Sequence, residues 1–274
     1  MEEYILKKND DGTVITVRDV QNILLEMMKD IDRLCRENNI PYFLSGGSAL
    51  GAVRHGGFIP WDDDADFFMM KEDFMRFIEV MKKQDKYVFQ CWYTDKRYNV
   101  LIPGMKIRKK GTYIKEVNSL LSNRCTGYEG CDGLFIDIFV WDYCTKNKWV
   151  DLPFRLANCA LMVPEIIADN WLNINPVHIK SAIMKVADRY SRLCEKRKTE
   201  YVGFDLTWVW KSPFKPFIFR KDDIFPPHYI AFEDTEFPIA NHPHEYLCTA
   251  IAPGYMTPPP EDKRVAKHIV EIRL

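Results

Sequence analysis

A cluster of acidic residues within apolar sequence is the feature that most limits what this chain can fold into. Four aspartates lie within five residues, directly after Trp61 and before the apolar run 67–70, namely Asp62, Asp63, Asp64 and Asp66. An acidic run usually lies in a solvated loop, but apolar residues border this one on both sides. The pattern therefore predicts carboxylates at the edge of a buried core, where an unpaired charge is strongly disfavoured.

Two of these aspartates have the spacing of metal ligands. Residues 64–70 are predicted to form a strand, so Asp64 and Asp66 would project from the same face. Neighbouring carboxylates repel each other unless a cation lies between them, and hard ions such as Mg²⁺ (Mn²⁺ is an alternative) bind in this way. Asp137 lies within the predicted apolar strand 133–140 and becomes the third ligand if the two strands are neighbours. Asp62 and Asp63 are predicted to support the site from its surroundings.

A glycine pair precedes the acidic run and predicts contact with phosphate. Gly46, Gly47 and Ser48 lie between the predicted strand 40–44 and a predicted helix, 48–54. Glycines allow a ligand to approach the backbone, and the first turn of a helix offers free N–H groups to phosphate oxygens. A double glycine alone is more often only a turn.

Three basic residues are candidates for binding the substrate's phosphate groups, namely Arg54, Lys106 and Arg108. Arg54 ends the predicted helix 48–54. Lys106 and Arg108 alternate on a predicted strand, 100–108, and an exposed basic strand edge explains them equally well.

The apolar pattern predicts a mixed α/β (α+β) fold. A helix is predicted for 17–35 because apolar residues recur at helical spacing after Thr16, an N-cap with Asp19 three residues later. Residues 1–150 are interpreted as the catalytic core. Residues 151–274, with predicted helices at 154–167 and 179–196, are interpreted as a helical and loop-rich extension packing on it. The aromatic residues downstream of the core are interpreted mostly as core or helix-packing residues: Trp141, Tyr143, Trp149, Trp171, Trp208 and Trp210.

Composition excludes several classes of function. The formal net charge is −1, which provides no field for a polyanion, so a nucleic-acid partner is not expected. The eight cysteines form no C-x-x-C pair, so we expect reduced and mostly buried thiols of a cytoplasmic protein. Neither a signal peptide nor a membrane-spanning run is visible, while peripheral association with a membrane surface stays open.

The acidic run also belongs to a longer signature. Residues 42–69, YFLSGGSALGAVRHGGFIPWDDDADFFM, resemble the signature of the LicD family, which ends in a phrase like R-h-x-G-F-I-P-W-D-D-D-h-D. That family includes bacterial phosphocholine transferases and, more distantly, fukutin and the fukutin-related protein. Residues 133–139 resemble its G-h-h-h-D-I-F strand, and segments around Phe237, Tyr246 and Tyr255 resemble its C-terminal pattern. One departure is that Ala252-Pro253-Gly254 stands where the family usually has Tyr-Gly.

The resemblance implies a nucleotidyltransferase (polymerase β-like) core sheet and a transfer reaction. An acceptor hydroxyl would attack the phosphate of a CDP-alcohol donor, with CDP-choline the first candidate, and CMP would leave. Mg²⁺ on Asp64 and Asp66 would neutralise the diphosphate, and Asp137 would bind a second ion or act as general base. The acceptor would be a cell-surface glycan or glycolipid precursor, reached from the cytoplasmic face of the membrane.

Two other functions stay open at this point. The same fold could use an NTP donor on a sugar or small molecule, which would release pyrophosphate instead of CMP. A catalytically inactive binding protein is the third hypothesis, and it predicts a broken set of acids. Asp64, Asp66 and Asp137 are all present, which favours an enzyme.

Overall fold

A computed structural model describes residues 4–102, 104–117, 124–127, 130–204, 206, 214 and 216–274. The strands are β1 (Ile5–Lys8), β2 (Val14–Thr16), β3 (Phe43–Leu44), β4 (Asp66–Met70), β5 (Tyr87–Cys91), β6 (Met105–Lys109), β7 (Tyr113–Glu116), β8 (Phe135–Cys144), β9 (Tyr201–Phe204), β10 (Ile218–Arg220), β11 (His228–Phe232), β12 (Thr235–Ile239) and β13 (Ile269–Arg273). The α-helices are α1 (Val17–Glu37), α2 (Gly46–His55), α3 (Lys71–Met81), α4 (Lys148–Ile166), α5 (Val177–Lys196), α6 (Lys221–Ile224) and α7 (Pro243–Ala250). A π-helical turn, Ile167–Trp171, continues α4.

One mixed sheet forms the centre of the molecule. Its strand order is β10-β9-β8-β4-β3, and β6 adds to β8 and carries β5 on its other side. The long strand β8 pairs in parallel with β4 along one edge, while β6 and then β9 pair antiparallel along the other. Helices pack on this sheet, so the predicted mixed α/β class is confirmed. The narrower polymerase β-like assignment stays a prediction.

Helix α1 forms as its sequence predicts. The Thr16 side chain accepts the Asp19 N–H, and the Asp19 carboxylate accepts the Thr16 N–H, so both ends of a capping box are present. Its apolar stripe, including Val20, Leu24 and Ile31, is fully buried in the main core. The helix thereby covers apolar residues of the strands that carry the acidic cluster.

Two predicted boundaries near the acidic run are wrong by two residues. Strand β4 begins at Asp66 rather than Asp64, because its pairing with β8 begins at Asp66. Helix α2 begins at Gly46 rather than Ser48, so the glycine pair forms its first turn instead of preceding it.

The second half contains an antiparallel pair of helices, α4 and α5, with a smaller apolar core of its own between them and β8. The division into a core at 1–150 and an extension at 151–274 stays a prediction. No helix in the described ranges is long and apolar enough to cross a membrane. All eight cysteines are free, and six of them are buried.

The interpretation of the downstream aromatic residues is only partly correct. Trp141 is fully buried and stacks on Phe219, with ring centroids 4.6 Å apart. Trp149 and Trp171 are instead 92% and 80% exposed, so their assignment to the core is wrong. The helical spacing correctly predicts one face of α4, but that face points away from the protein. Trp208 and Trp210 lie outside the described residues.

Candidate active site

Three neighbouring strands place charged side chains in one row. Asp66 is the register partner of Asp137 in the parallel β4–β8 pair, and Asp137 is the partner of Lys106 in the antiparallel β6–β8 pair. Register partners project from the same face of a sheet. The predicted proximity of the two aspartates is therefore present, and a lysine lies on their other side.

Asp64 reaches the same cluster from an extended segment just before β4. The segment continues the alignment of the strand, because the Ala65 carbonyl accepts the Asp137 N–H at 3.0 Å. The pKa of Asp66 is raised well above its usual range, first by burial and then by the charges of Asp64, Asp137 and Asp62. These four carboxylates are therefore close enough to oppose each other's ionisation.

The glycine pair makes room for two of these carboxylates. A Cβ on Gly47 would lie 2.6 Å from the Asp62 Oδ2 atom, and a Cβ on Gly46 would lie 3.4 Å from the Asp66 Oδ2 atom. Gly46 also has a positive φ of 44°. The first turn of α2 thus touches the acidic cluster itself, where the positive end of the helix dipole favours negative charge.

Ser48 and Tyr246 fix this contact between α2 and β4. The Ser48 hydroxyl accepts the Asp66 N–H at 2.9 Å, and the Tyr246 hydroxyl accepts the Gly46 N–H at 3.0 Å. Tyr246 comes from α7, two hundred residues away in the sequence, and is buried. The Gly46 amide is therefore already paired, so a phosphate would have to bind through other N–H groups of the turn.

Burial and mutual repulsion set the electrostatics of the cluster. Burial is the largest cause of the raised pKa at Asp62, Asp64 and Asp137, and the pKa of Asp137 rises to about 6. The charge of Lys106 works against the rise at Asp137, and the charge of Asp64 adds to it. The cluster therefore carries more negative charge than its protein surroundings stabilise.

Lys106 and Arg108 belong to a buried ion network. The Lys106 ammonium lies 3.0 Å from Asp137 Oδ1 and 2.9 Å from Glu116 Oε2. Arg108 donates to Gln90, to the Gly133 carbonyl and to Glu116, and it is 2% exposed. These contacts rule out the exposed basic edge for both residues. A phosphate role for Arg108 stays a prediction that would require breaking three hydrogen bonds.

Asp63 anchors the C-terminal strand instead of facing the other aspartates. Its carboxylate accepts the backbone N–H groups of Lys267, His268 and Ile269, at 2.9–3.3 Å, and contacts His268 Nδ1 at 2.9 Å. Burial alone would raise the pKa of Asp63, but the hydrogen bond and charge of His268, with the backbone N–H groups, lower it. Asp63 thus orders the segment that brings His268 to the site.

His268 is a site residue that the sequence analysis missed. Its Nδ1 atom also lies 3.3 Å from Asp64 Oδ2, and although burial opposes the charged ring, the neighbouring acids raise its pKa to about 9. No local pattern around residue 268 indicates this contact, because it depends on β13 pairing with β7. His268 and Lys106 therefore border the acidic cluster as two cations.

Arg54 interacts with the charge of Asp62. Its Nη1 atom donates to the Tyr255 carbonyl at 2.8 Å, and its pKa is lowered by burial and by the charge of Arg264, against the opposing charge of Asp62. Next to it, a cleft of about 940 Å³ is lined in part by Trp61 and Arg264. A volume of this size fits a substrate-sized ligand, and the Arg264 guanidinium in its lining suits an anionic group.

The four carboxylates are suitable ligands for a hard cation, although they are not positioned to coordinate one as they stand. Asp62, Asp64, Asp66 and Asp137 offer only oxygen atoms, the ligands that Mg²⁺ prefers. Asp66 Oδ1 is buried and accepts no hydrogen bond from any described residue. However, no three His, Cys, Asp or Glu side chains of the described residues are placed to hold an ion as they stand. Metal binding would require the carboxylates to turn towards each other and Lys106 to release Asp137.

Comparison with known proteins matches this part of the chain. The model of the family described as LicD/FKTN/FKRP, nucleotidyltransferase domain, matches residues 39–153, which include the glycine pair, the acidic run and Asp137. The chain carries a LicD-family domain. His268 and Tyr246 lie outside the matched range, so the contacts that complete the cluster come from the sequence after this domain.

Two relatives illustrate the range of the LicD family. Lipopolysaccharide cholinephosphotransferase LicD of Haemophilus influenzae is 26% identical over 94% of this chain and 97% of its own length. Ribitol 5-phosphate transferase FKRP of Homo sapiens is 56% identical over 34 residues, which is 12% of this chain and 7% of its own length. The similarity to the first relative therefore runs along nearly the whole chain, and the similarity to the second is local.

Proposed function

We propose that this protein transfers a phospho-alcohol, with phosphocholine the first candidate, from a CDP-activated donor to a hydroxyl group of a cell-surface glycan or glycolipid precursor. The observation that carries the proposal is a group of four neighbouring carboxylates within a LicD-family domain, namely those of Asp62, Asp64, Asp66 and Asp137. Similarity to a cholinephosphotransferase over 94% of the chain supports the choice of donor. The acceptor class is proposed from that relative, which is a lipopolysaccharide cholinephosphotransferase.

The acidic cluster supplies the metal site in this proposal. Asp64, Asp66 and Asp137 would hold Mg²⁺, or Mn²⁺ in its place, with Asp62 beside them. A bound ion would neutralise the donor diphosphate and stabilise the departing CMP. Asp66 Oδ1 is the atom with unused acceptor capacity for such an ion.

The other residues bind and orient the donor. The first turn of α2, at Gly46, Gly47 and Ser48, would face the phosphates, and Arg54 would pair with a phosphate oxygen at the edge of the cleft. Lys106 would move from Asp137 to the diphosphate, which would leave one Asp137 oxygen for the ion and the other to accept the proton of the acceptor hydroxyl. While Lys106 stays beside Asp137, burial is the main cause that raises the pKa of this carboxyl to about 6.

Release of the leaving group tests the proposal. Purified protein with Mg²⁺ would be given CDP-choline, CDP-ribitol, CDP-glycerol or NTPs, with alkyl glycosides as acceptors, while CMP and pyrophosphate are followed. We expect CMP from CDP-choline and its loss in Asp64→Ala. Asp85→Ala, which removes an exposed carboxylate outside the site, is the matched control and keeps full turnover.

Three results would contradict the proposal. CMP release that persists at the wild-type rate in Asp64→Ala would remove the metal site from the reaction. Pyrophosphate from an NTP without CMP from any CDP-alcohol would favour the nucleotidyltransferase alternative. No turnover with any donor, together with no Mn²⁺ binding, would favour an inactive binding protein.

A further inference from the structure

Helix α4 buries a mostly polar side and exposes an apolar one, which is the reverse of an ordinary surface helix. Its buried residues are mostly polar or charged, namely Asp151, Arg155, Asn158 and Glu165, and Asp169 in the following turn is also buried. A helix on the surface of a globular protein normally buries its apolar face and exposes its polar one. The apolar face of α4 must therefore be explained by something other than the protein's own core.

The buried polar side of α4 is partly paired within the protein, while both Glu165 carboxylate oxygens, Arg155 Nη2 and Asn158 Oδ1 have no hydrogen-bond partner among the described residues. Arg155 pairs with Asp151 at 2.7 Å, and Asn158 donates to the Leu206 carbonyl at 3.0 Å. In the following turn, Asp169 accepts from Arg124 at 2.7 Å. Since these contacts fix which side of the helix faces inward, the helix cannot rotate to bury its apolar side.

The outward side of α4 is a continuous uncharged stripe. At about 100° per residue, the outward positions fall within an arc of about 100°. They are Trp149, Pro153, Leu156, Ala160, Val163, Pro164 and Ile167, and all are exposed. Trp171, Leu172 and Ile174 extend the stripe beyond the helix and are also exposed. An exposed apolar surface of this extent marks an interaction site.

We propose that this stripe, residues 149–174, binds the surface of a lipid bilayer, with the helix lying parallel to the membrane plane. Tryptophans at both ends, Trp149 and Trp171, are separated by about 33 Å at 1.5 Å per residue. Tryptophan prefers the boundary between lipid headgroups and acyl chains, so two such anchors favour a helix lying along that boundary.

Charge complementarity supports a lipid surface rather than a protein partner. The outward stripe carries no charged residue, as the acyl region of a bilayer requires. Lys146 and Lys148 lie next to Trp149, are exposed, and would meet anionic headgroups. The buried charges Asp151 and Arg155 stay on the protein side, away from lipid. The inference is independent of the proposed reaction, since it concerns binding alone.

Vesicle binding of the full chain tests this inference. Protein would be sedimented with phosphatidylcholine vesicles, with or without about one-third phosphatidylglycerol, because anionic lipid adds attraction for lysines. We expect binding to both, tighter to the anionic vesicles. Trp149→Ala/Trp171→Ala should weaken binding at least about tenfold, because two large apolar side chains no longer leave water. The thermal midpoint should stay unchanged, because both rings are exposed in the free protein.

A matched variant controls for general surface apolarity. Met256→Gln/Val265→Gln removes two apolar side chains that are each 53% exposed elsewhere, and it should bind vesicles as the wild type does. The inference is overturned if the wild type binds neither kind of vesicle, or if the tryptophan variant binds as tightly as the wild type. It is also overturned if the wild type is a dimer that the tryptophan variant dissociates, since the stripe would then join two copies of the chain. CMP release from a soluble donor should be equal in all variants.

Discussion

Replacing Gly47 by alanine should lower turnover while it raises the stability of the fold. Gly47 lies in the first turn of α2, and an added Cβ would lie 2.6 Å from Asp62 Oδ2, where ordinary contact begins at 3.4 Å. The Asp62 carboxylate, which shares a hydrogen bond with Asp64, would have to move by about 0.8 Å. A displacement of about 1 Å in a catalytic group costs up to about a hundredfold in rate. We therefore expect kcat/KM for CMP release to fall about 10- to 100-fold.

Stability should change in the opposite direction in the same variant. Alanine stabilises a helix relative to glycine by about 0.5–1 kcal/mol, and the end of the Asp62 side chain can move without disturbing the backbone. Gly56→Ala is the matched control, because Gly56 has a φ of 69° and nothing lies within 4 Å of its added Cβ. That variant should lose about 1 kcal/mol and keep its turnover.

Urea unfolding and CMP release, measured on the same protein preparations, test whether turnover and stability change in opposite directions. If Gly47→Ala turns over at the wild-type rate, the close approach of Asp62 to α2 has no part in the reaction. If it loses stability together with turnover, the effect is a general disturbance of the fold and the reasoning from Asp62 fails.

Two further predictions concern stability. Asp63→Asn replaces the carboxylate that accepts three backbone N–H groups, so we expect the free energy of unfolding to fall by about 2–4 kcal/mol. Backbone hydrogen exchange at 267–273 should become faster. Unchanged exchange there would contradict the role of Asp63 as an anchor of this segment. Burial raises the pKa of Glu165 from 4.5 to about 7, so its stability contribution should fall by up to about 3 kcal/mol as pH rises through that range. In urea unfolding between about pH 5 and pH 8, Glu165→Gln should reduce the fall in stability by that amount and leave the part that the acidic cluster causes, and an unchanged slope would contradict the assignment to Glu165.

The sequence predicts the centre of the site because local patterns determine it. Asp137 interrupts an apolar strand and Asp66 directly precedes an apolar run, and buried strands of one core are often neighbours in its sheet. The structure places these two residues directly opposite each other.

The surroundings of the site depend on contacts that local patterns do not contain. Asp63 and His268 are 205 residues apart, and they meet only because β13 pairs with β7. Lys106 has the spacing of a strand residue, but its ion pair with Glu116 depends on how β7 lies against β6. Long-range packing therefore determines which of the predicted basic residues are available to a substrate.

Helix α4 shows a different limit. Its spacing correctly identifies an apolar side and a polar side, and a globular chain would bury the apolar one. The decisive information is that Asp151, Arg155 and Asp169 have partners inside the protein. Periodicity shows which residues of a helix lie on its apolar face and which on its polar face. The partners of the polar residues determine which face points inward.

The balance of charge gives the strongest physical reason to expect a cation at the acidic cluster. Elsewhere in the described interior, buried acids such as Asp151 and Asp169 form ion pairs, with Arg155 and Arg124 respectively. The region around Asp66 contains six carboxylates and three cationic side chains. The cations are Lys106, Arg108 and His268. The carboxylates are those of Asp62, Asp63, Asp64, Asp66, Glu116 and Asp137. Two of these cations are held mainly by acids at the border, Glu116 and Asp63, so little positive charge reaches Asp66 itself. A cluster that keeps this imbalance is stabilised when a divalent cation binds, and the paired acids of the interior gain nothing from one.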